Sequence, residues 1–254
     1  MKMDYTDLRR KFVELSGRYD LVKADWQDAG ADFFINAGQK MLDRAQDGGK
    51  MRARYVTSLA AGTVVKYVTG LRAIKGVWIS NADGMTELYP NKIETIRSWY
   101  GKKLSTEAQG TPAYYAPAQL RPAPDTTTAT DLSGLYDIED LILYDSVAKT
   151  GHWTYNGIII MPPPDQAYTL SIWGLFYSPT LSATLSGSTW TQTKSFWSEA
   201  FPEILLKAAL YELESFYRNS EGMKDWDNAL SVDMKGLDHD YVEEDLNGNL
   251  QMEG

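Results

Sequence analysis

Residue types that do chemistry are scarce in this 254-residue chain. It has no Cys, and its only two His, His152 and His239, stand far apart. Thiol nucleophiles, disulfides, thiolate metal sites and iron–sulfur clusters are therefore excluded, as is a His-rich metal centre. A Ser-His-Asp arrangement has only these two bases to choose from. His152 precedes Trp153 and reads as a surface residue of a hairpin. His239 lies among acids that would tune its charge. The adjacent acids Glu139-Asp140 and Glu243-Glu244-Asp245 are a poor acid–base pair, because neighbours in sequence do not face each other on a helix and alternate faces on a strand. No phosphate-binding glycine loop, HExxH, GxSxG or calcium loop occurs. The expectation is no catalytic residue, no metal, no cofactor and no enzyme.

The elements around these residues change period twice. Leu8, Phe12 and Leu15 share one helical face, with Thr6 as N-cap and Gly17 as stop. Within 31–46, Phe34, Ile35, Gly38, Met41, Leu42 and Ala45 form a second helical face, ended by Asp47-Gly48-Gly49. The period then drops to two. Residues 53–60, 63–68 and 71–80 read as strands, with Thr69-Gly70 as a tight hairpin loop between the last two and a further strand at 84–88. Ile93, Ile96 and Tyr100 mark a short helix. Residues 101–135, with Pro112, Pro117, Pro122 and Pro124, read as a long loop or extended arm. Asn156-Gly157 between apolar runs reads as a hairpin tip. Pro162-Pro163-Pro164 ends that hairpin's second strand, and Tyr168, Leu170 and Ile172 alternate as a half-buried strand. Residues 178–194 read as polar loop. Pro202 opens a helix with a wide stripe (Ile204, Leu206, Ala208, Leu210, Tyr211, Leu213, Tyr217), and Ser220 caps another.

The fold class is therefore α+β. N- and C-terminal helices form one layer, built from 1–50 and 195–245, beside a central antiparallel β-sandwich or small barrel over 51–194; residues 246–254 form a C-terminal tail. Mean hydropathy is −0.38, and no apolar run approaches the ~18 residues of a membrane span. The opening MKMDYTDLRRKF is charged where a signal peptide needs an apolar stretch.

Charge is unevenly spread. The formal net charge is −9, and the last 36 residues hold ten acids against Lys224 and Lys235. That balance argues against gripping nucleic-acid phosphates. Arg9, Arg10, Lys11 and Arg18, beside Asp7 and Glu14, read as a solvated helix face. Within the acidic segment, Met223, Trp226, Leu230, Met234, Leu237 and Tyr241 recur at helical spacing. This stripe suits docking into a partner's groove. The 8 Trp, 16 Tyr and 7 Phe supply core and interface, Tyr114, Tyr115 and Trp190 being candidates for a subunit-interface arm.

The segments DLRRKFVELSGRYDL, ADFFINAGQKMLDR, PPPDQAYTLSIWGLFYSPTLS and FPEILLKAALYELESFYRNSEGMKDWDNAL resemble those of tailed-bacteriophage head–tail adaptor proteins. The shared features are an Ile-Asn within the early helix, a Pro-rich turn before an alternating strand, and a Pro-led helix followed by one with Trp near its start. The resemblance covers most of the chain, and 101–135 departs from it. It implies a structural virion protein of the head–tail neck, assembled in the bacterial cytoplasm. Such a protein forms a ring, typically of about twelve copies, that docks under the portal and offers an attachment surface to a downstream tail or neck protein. Genomic DNA would pass through the lumen without sequence-specific binding, and no membrane is involved. The β-rich middle and the aromatic content leave one alternative: a carbohydrate- or receptor-binding module of a phage tail or baseplate, with Trp153 or Trp173 as exposed aromatics.

Overall fold

The computed structural model describes residues 3–46, 52–82, 84–100, 104–118 and 155–249. In chain order these form helices α1 (Tyr5–Ser16) and α2 (Ala31–Ala45), then strands β1 (Arg52–Leu59), β2 (Val65–Thr69), β3 (Leu71–Asn81), β4 (Gly84–Glu87) and β5 (Tyr89–Pro90). Helix α3 (Ile93–Tyr100) precedes β6 (Tyr114–Ala118), β7 (Tyr155–Met161), β8 (Tyr168–Phe176), β9 (Ala183–Ser186) and β10 (Thr189–Gln192). Three helices follow, α4 (Phe196–Ala200), α5 (Pro202–Tyr217) and α6 (Ser220–Asn249). The fold is α+β, as the sequence pattern predicts, but the sheets do not close into a barrel. The chain divides into a helical unit, Met1–Met51 with Tyr177–Gly254, and a β-rich unit, Arg52–Phe176.

In the β-rich unit two four-stranded sheets run in the orders β1-β8-β3-β4 and β2-β7-β6-β5. Pairing is antiparallel except between β5 and β6. Leu59, Leu71, Val77, Ile79, Leu170 and Ile172 from the first sheet meet Val68, Tyr115, Ile158 and Ile160 from the second in one core. Ile159 and Met161 point the other way, into a second core with Ile96 of α3 and Leu104. Strand β7 is thus buried on both faces, which is why Ile158–Met161 is a continuous apolar run rather than an alternating one.

That double burial overrides the Asn156-Gly157 turn signal. Both residues lie inside β7, Asn156 opposite Val68 and Gly157 opposite Tyr67 and Ala118. A strand with two apolar faces needs a neighbour on each edge, and the pairing extends through the Asn-Gly step. His152 and Trp153, the other arm of the expected hairpin, lie outside the described residues. Thr69-Gly70 is likewise no hairpin loop. Strands β2 and β3 belong to different sheets, and Gly70, at φ 73°, turns a corner that lets Val68 and Leu71 enter the same core. The long-loop expectation also changes. Residues Leu104–Thr106 form a 3-10 turn and Tyr114–Ala118 a strand, while 119–135 lies outside the described residues.

The helical unit is held by Leu8, Phe12 and Val13 of α1, Phe34, Ile35 and Leu42 of α2, Trp197 of α4, and Leu205, Ala208, Ala209 and Leu213 of α5. The N-cap of α1 is Asp4, which accepts from Asp7 N; Thr6 instead donates its hydroxyl to that carboxylate. Gly17 ends the helix at φ 68°, a left-handed stop. Residues 178–194 are not plain loop. They contain the β9–β10 hairpin, turned at Gly187-Ser188 with Gly187 at φ 63°, and a Gly-Ser pair is a two-residue hairpin signal. This stretch belongs to the helical unit, so the second crossing between the units falls at Phe176–Tyr177 rather than at 194.

Candidate functional site

Helix α2 carries a polar ridge beside its apolar face. Asp32, Asn36, Gln39 and Asp43 are spaced 4, 3 and 4, the spacing of one helical stripe, and the last three grip the irregular segment 178–182. Buried backbone groups of such a segment have no ladder to join and need side-chain partners. Asn36 supplies both kinds. Its Oδ1 accepts from Leu181 N at 2.7 Å, and its Nδ2 donates to Leu181 O at 2.9 Å and Asp32 O at 2.8 Å. Gln39 Nε2 donates to Pro179 O at 2.9 Å. Asp43 is buried and accepts three hydrogen bonds: Ser178 N at 2.7 Å, Ser178 Oγ at 2.9 Å and Trp197 Nε1 at 2.8 Å.

At the other end of the ridge, Asp32 takes a two-pronged pair from Arg9, Nε to Oδ1 and Nη2 to Oδ2, both at 2.8 Å. Arg9 is only 1% exposed, and its remaining donors reach Trp26 O and Ala183 O. Tyr5 donates to Asp32 at 2.7 Å. Burial, reinforced by that carboxylate, pushes the Tyr5 phenol far above its ordinary value, so it stays a donor at any working pH. Of the basic residues near the start, Arg9 is therefore a core group. Arg10 stacks over Trp26 and Lys11 pairs with Glu14 on the exposed side.

The ridge explains the Ile-Asn pair of the early helix: Ile35 faces the core while Asn36 acts as a strand substitute for Leu181. Asn36→Ala strands both Leu181 groups, and a loss of about 1–3 kcal/mol is expected. A thermal melt followed by circular dichroism should show it. A melting temperature unchanged within a degree would mean that water replaces the carboxamide without cost.

The exposed surface of this unit carries an aromatic strip. Phe33 and Phe216 are 64% and 63% exposed, and Tyr217 is 45% exposed. Phe34 lies buried between them. Its ring meets Phe33 edge-on at 5.1 Å and Phe216 at 5.5 Å, and Phe216 meets Tyr217 at 5.3 Å. Arg18 covers the Tyr217 ring at 4.2 Å while its Nε and Nη2 donate to the Asp20 carboxylate. Adjacent aromatics on a helix cannot both face the core. The pairs Phe33-Phe34 and Phe216-Tyr217 therefore announced an outward ring in the sequence, a signal the apolar-stripe reading passed over.

The residues expected to dock on a partner sit differently. Leu230 is buried in the helical core, and Trp226, Met234 and Leu237 pack against it. That stripe is engaged within its own subunit, because α5 and α6 form a helical hairpin whose facing sides close on each other. Met223 is half-buried at the start of α6. The side chain of Tyr241, like those of His239, Glu243, Glu244 and Asp245, lies outside the described residues. Tyr115 is 5% exposed in the sandwich core. Tyr114 leans on Trp99 and Tyr89; the two are strand residues of β6 rather than parts of a free arm. Trp190 packs against the helical core and lines a shallow cleft of about 360 Å³ with Asp4, Tyr5, Gln192, Lys194 and Glu199. Among the described residues no group of His, Asp or Glu is placed to hold a metal, and no helix is long and apolar enough to cross a membrane. Glu139 and Asp140 lie outside them.

A second exposed aromatic site lies in the β-rich unit, on the outer face of the β1-β8-β3-β4 sheet. Trp173 of β8 is 47% exposed, and the Trp78 ring of β3 stands 4.8 Å from it. The Trp78 indole lies over Gly76, where any Cβ would stand 2.3 Å from the ring.

No curated protein matches the chain. The family model described as SU10 adaptor protein matches residues 3–246, nearly the whole length and both units. The chain belongs to the SU10 adaptor protein family, and is thus a bacteriophage adaptor protein.

Proposed function

We propose that this chain is one subunit of a closed head–tail adaptor ring that docks under the portal, extends the DNA channel and gives the tail its attachment surface. The observation that carries the reading is the exposed strip of Phe33, Phe216 and Tyr217 on the helical unit. A contiguous apolar patch of this kind marks a contact surface, and aromatics are enriched in such surfaces. Family membership supports a structural role in the virion. The acidic balance of the chain suits a conduit that must let a duplex slide past, since like charge repels phosphate within about 8 Å at physiological salt. Portal docking is assigned to this strip and not to the α6 stripe, whose Trp226, Leu230, Met234 and Leu237 pack in the helical core of their own subunit.

Phe33→Glu with Phe216→Glu tests it. Both side chains are mostly exposed, so the variant is expected to stay folded, with a stability change near the ±0.5 kcal/mol of ordinary surface positions plus about 1 kcal/mol for each of the lost Phe33–Phe34 and Phe34–Phe216 contacts. Heads lacking the adaptor, mixed with the purified variant, should fail to retain it and fail to join tails. Joining at the parental rate would show that the strip is not the docking surface.

A second reading rests on the Trp78–Trp173 pair. Two neighbouring indoles on a sheet face, tilted 48° to one another, suit a sugar ring, as expected of a receptor-binding module. A glycan array that lights up with the parental chain and goes dark with Trp173→Ala would favour that reading. Silence across glycans with head binding intact retires it.

A further inference from the structure

The two sheets of the β-rich unit treat their edges differently. An open edge is a row of unpaired N–H and C=O groups, and proteins blunt it with proline, lysine, bulges or short strands. The sheet β2-β7-β6-β5 does so at both ends. Strand β5 is two residues long and one of them is Pro90, which has no N–H. Strand β2 is five residues long and carries Lys66. The sheet β1-β8-β3-β4 is left open. Strand β1 runs eight residues without proline, glycine or lysine, and its register on β8 has no bulge. Among the described residues β1 pairs with β8 alone and β4 with β3 alone. Lys66 donates to Ser58 O at 2.9 Å, which leaves 52–57 of β1 to a partner.

These two edges fit one another. The sheet has four strands, each antiparallel to the next, so β1 and β4 run in opposite directions. A second copy set beside the first without being turned over, as ring symmetry requires, brings its β1 to β4 antiparallel and with the same face outward. Strand residues two apart share a face. On the outer face stand Arg52, Arg54 and Val56 of β1 and Met85 and Glu87 of β4. Arg52, Arg54 and Glu87 take part in no ion pair among the described residues. Val56 and Met85 are 50% and 61% exposed. Setting Glu87 opposite Arg54 also sets Met85 opposite Val56, so one register pairs the charges and covers both apolar side chains. A shift by two residues puts Met85 against Arg54 and leaves Val56 bare. Strand β1 against a second β1 gathers four arginines on one face, where like charges repel.

We propose that the open edge of β4 pairs with the open edge of β1 of a second copy of this chain, Gly84–Glu87 against 54–57, so that the sheets of successive subunits join into one. Strand addition of this kind draws its affinity from main-chain hydrogen bonds and its register from side chains. The two edges differ, so the contact is heterologous, the kind that builds a ring when its rotation closes. The inference rests on the ring reading and names its seam.

The chain has no cysteine, so a designed disulfide has no competitor. Within one subunit β1 and β4 are three strand spacings apart, about 14 Å, whereas disulfide-linked Cα atoms stand about 4.4–6.8 Å apart. Val56→Cys with Met85→Cys therefore links copies and not one chain to itself. Oxidised at assembly concentration and run without reductant, it should give a ladder of covalent oligomers, while each single variant stays at monomer mobility. In parallel, Arg54→Glu should lower the oligomer fraction in native mass spectra about tenfold, and adding Glu87→Arg should restore it, which a misfolded chain could not do. Three results overturn the seam. One is covalent dimers from Val56→Cys alone, which means that β1 pairs with itself. Another is an intact ring without cross-link or charge effect, which leaves the ring reading standing. The third is an Arg54→Glu ring of full mass that no longer holds to heads or tails, which hands the β1 edge to another protein. If the parental chain forms no oligomer alone or on heads, the seam and the ring reading fall together.

Discussion

Asp43→Ala is expected to be among the most damaging single changes in the helical unit. Asp43 is 6% exposed, and its carboxylate accepts from three donors, Ser178 N, Ser178 Oγ and Trp197 Nε1. Alanine leaves the indole N–H and the Ser178 amide without partners, and Trp197 is fully buried, so water cannot reach it cheaply. Removing one side of a buried charged hydrogen-bond network costs about 3–5 kcal/mol. At about 2–4 °C per kcal/mol for a chain of this size, the melting temperature should fall by roughly 10 °C. Asp43→Asn should recover only part of the loss, because its amide N–H₂ meets donors rather than acceptors. A melting temperature within two degrees of the parent for the alanine variant would show that the ridge does not hold the 178–182 segment.

Gly38→Ala gives an opposite sign from the one helix propensity predicts. In an open helix interior, alanine in place of glycine adds about 1 kcal/mol of stability. At Gly38 a Cβ would stand 2.6 Å from Ala209 N, 2.7 Å from Ala208 C and 2.9 Å from Ala209 Cα. All three are backbone atoms of α5, so no side chain can turn aside. Helices α2 and α5 cross with Gly38 facing Ala208 and Ala209, all buried, and the extra carbon must push the helices apart. Overpacking of this kind costs about 1–3 kcal/mol, and Gly38→Val should exceed it. Chemical denaturation of the glycine, alanine and valine chains should rank them in that order of falling stability. An alanine chain more stable than its parent would mean that the helices can move apart freely.

Much of the architecture was legible in the periodicity. The α1, α2, α3 and α5 stripes, the first three strands and the Tyr168–Ile172 alternation each follow from which positions are apolar, and each element is found. Gly38 falls on the apolar face of α2 in the sequence, and in the fold it is buried. What escaped is information that only tertiary pairing holds. Asn156-Gly157 is a strong local turn signal, yet the strand it sits in is sandwiched between β2 and β6. The run Thr69-Gly70 looks the same whether the chain folds back in one sheet or turns a corner into another. The α6 stripe is amphipathic whether its partner is α5 or another protein, and sequence alone does not name the partner. The polar ridge was invisible for a different reason. Asp32, Asn36, Gln39 and Asp43 have helical spacing, but a stripe of polar residues reads as solvent-facing unless an irregular segment needs its hydrogen bonds.

The ring is the central claim, and native mass spectrometry of the purified chain, alone and mixed with the portal ring of its head, tests it most directly. A discrete bound species heavier than the portal by about one 28.5 kDa chain per portal subunit is predicted, with the Phe33→Glu, Phe216→Glu variant failing to form it. A chain that stays at 28.5 kDa, with the portal mass unchanged at every concentration, would contradict the adaptor ring.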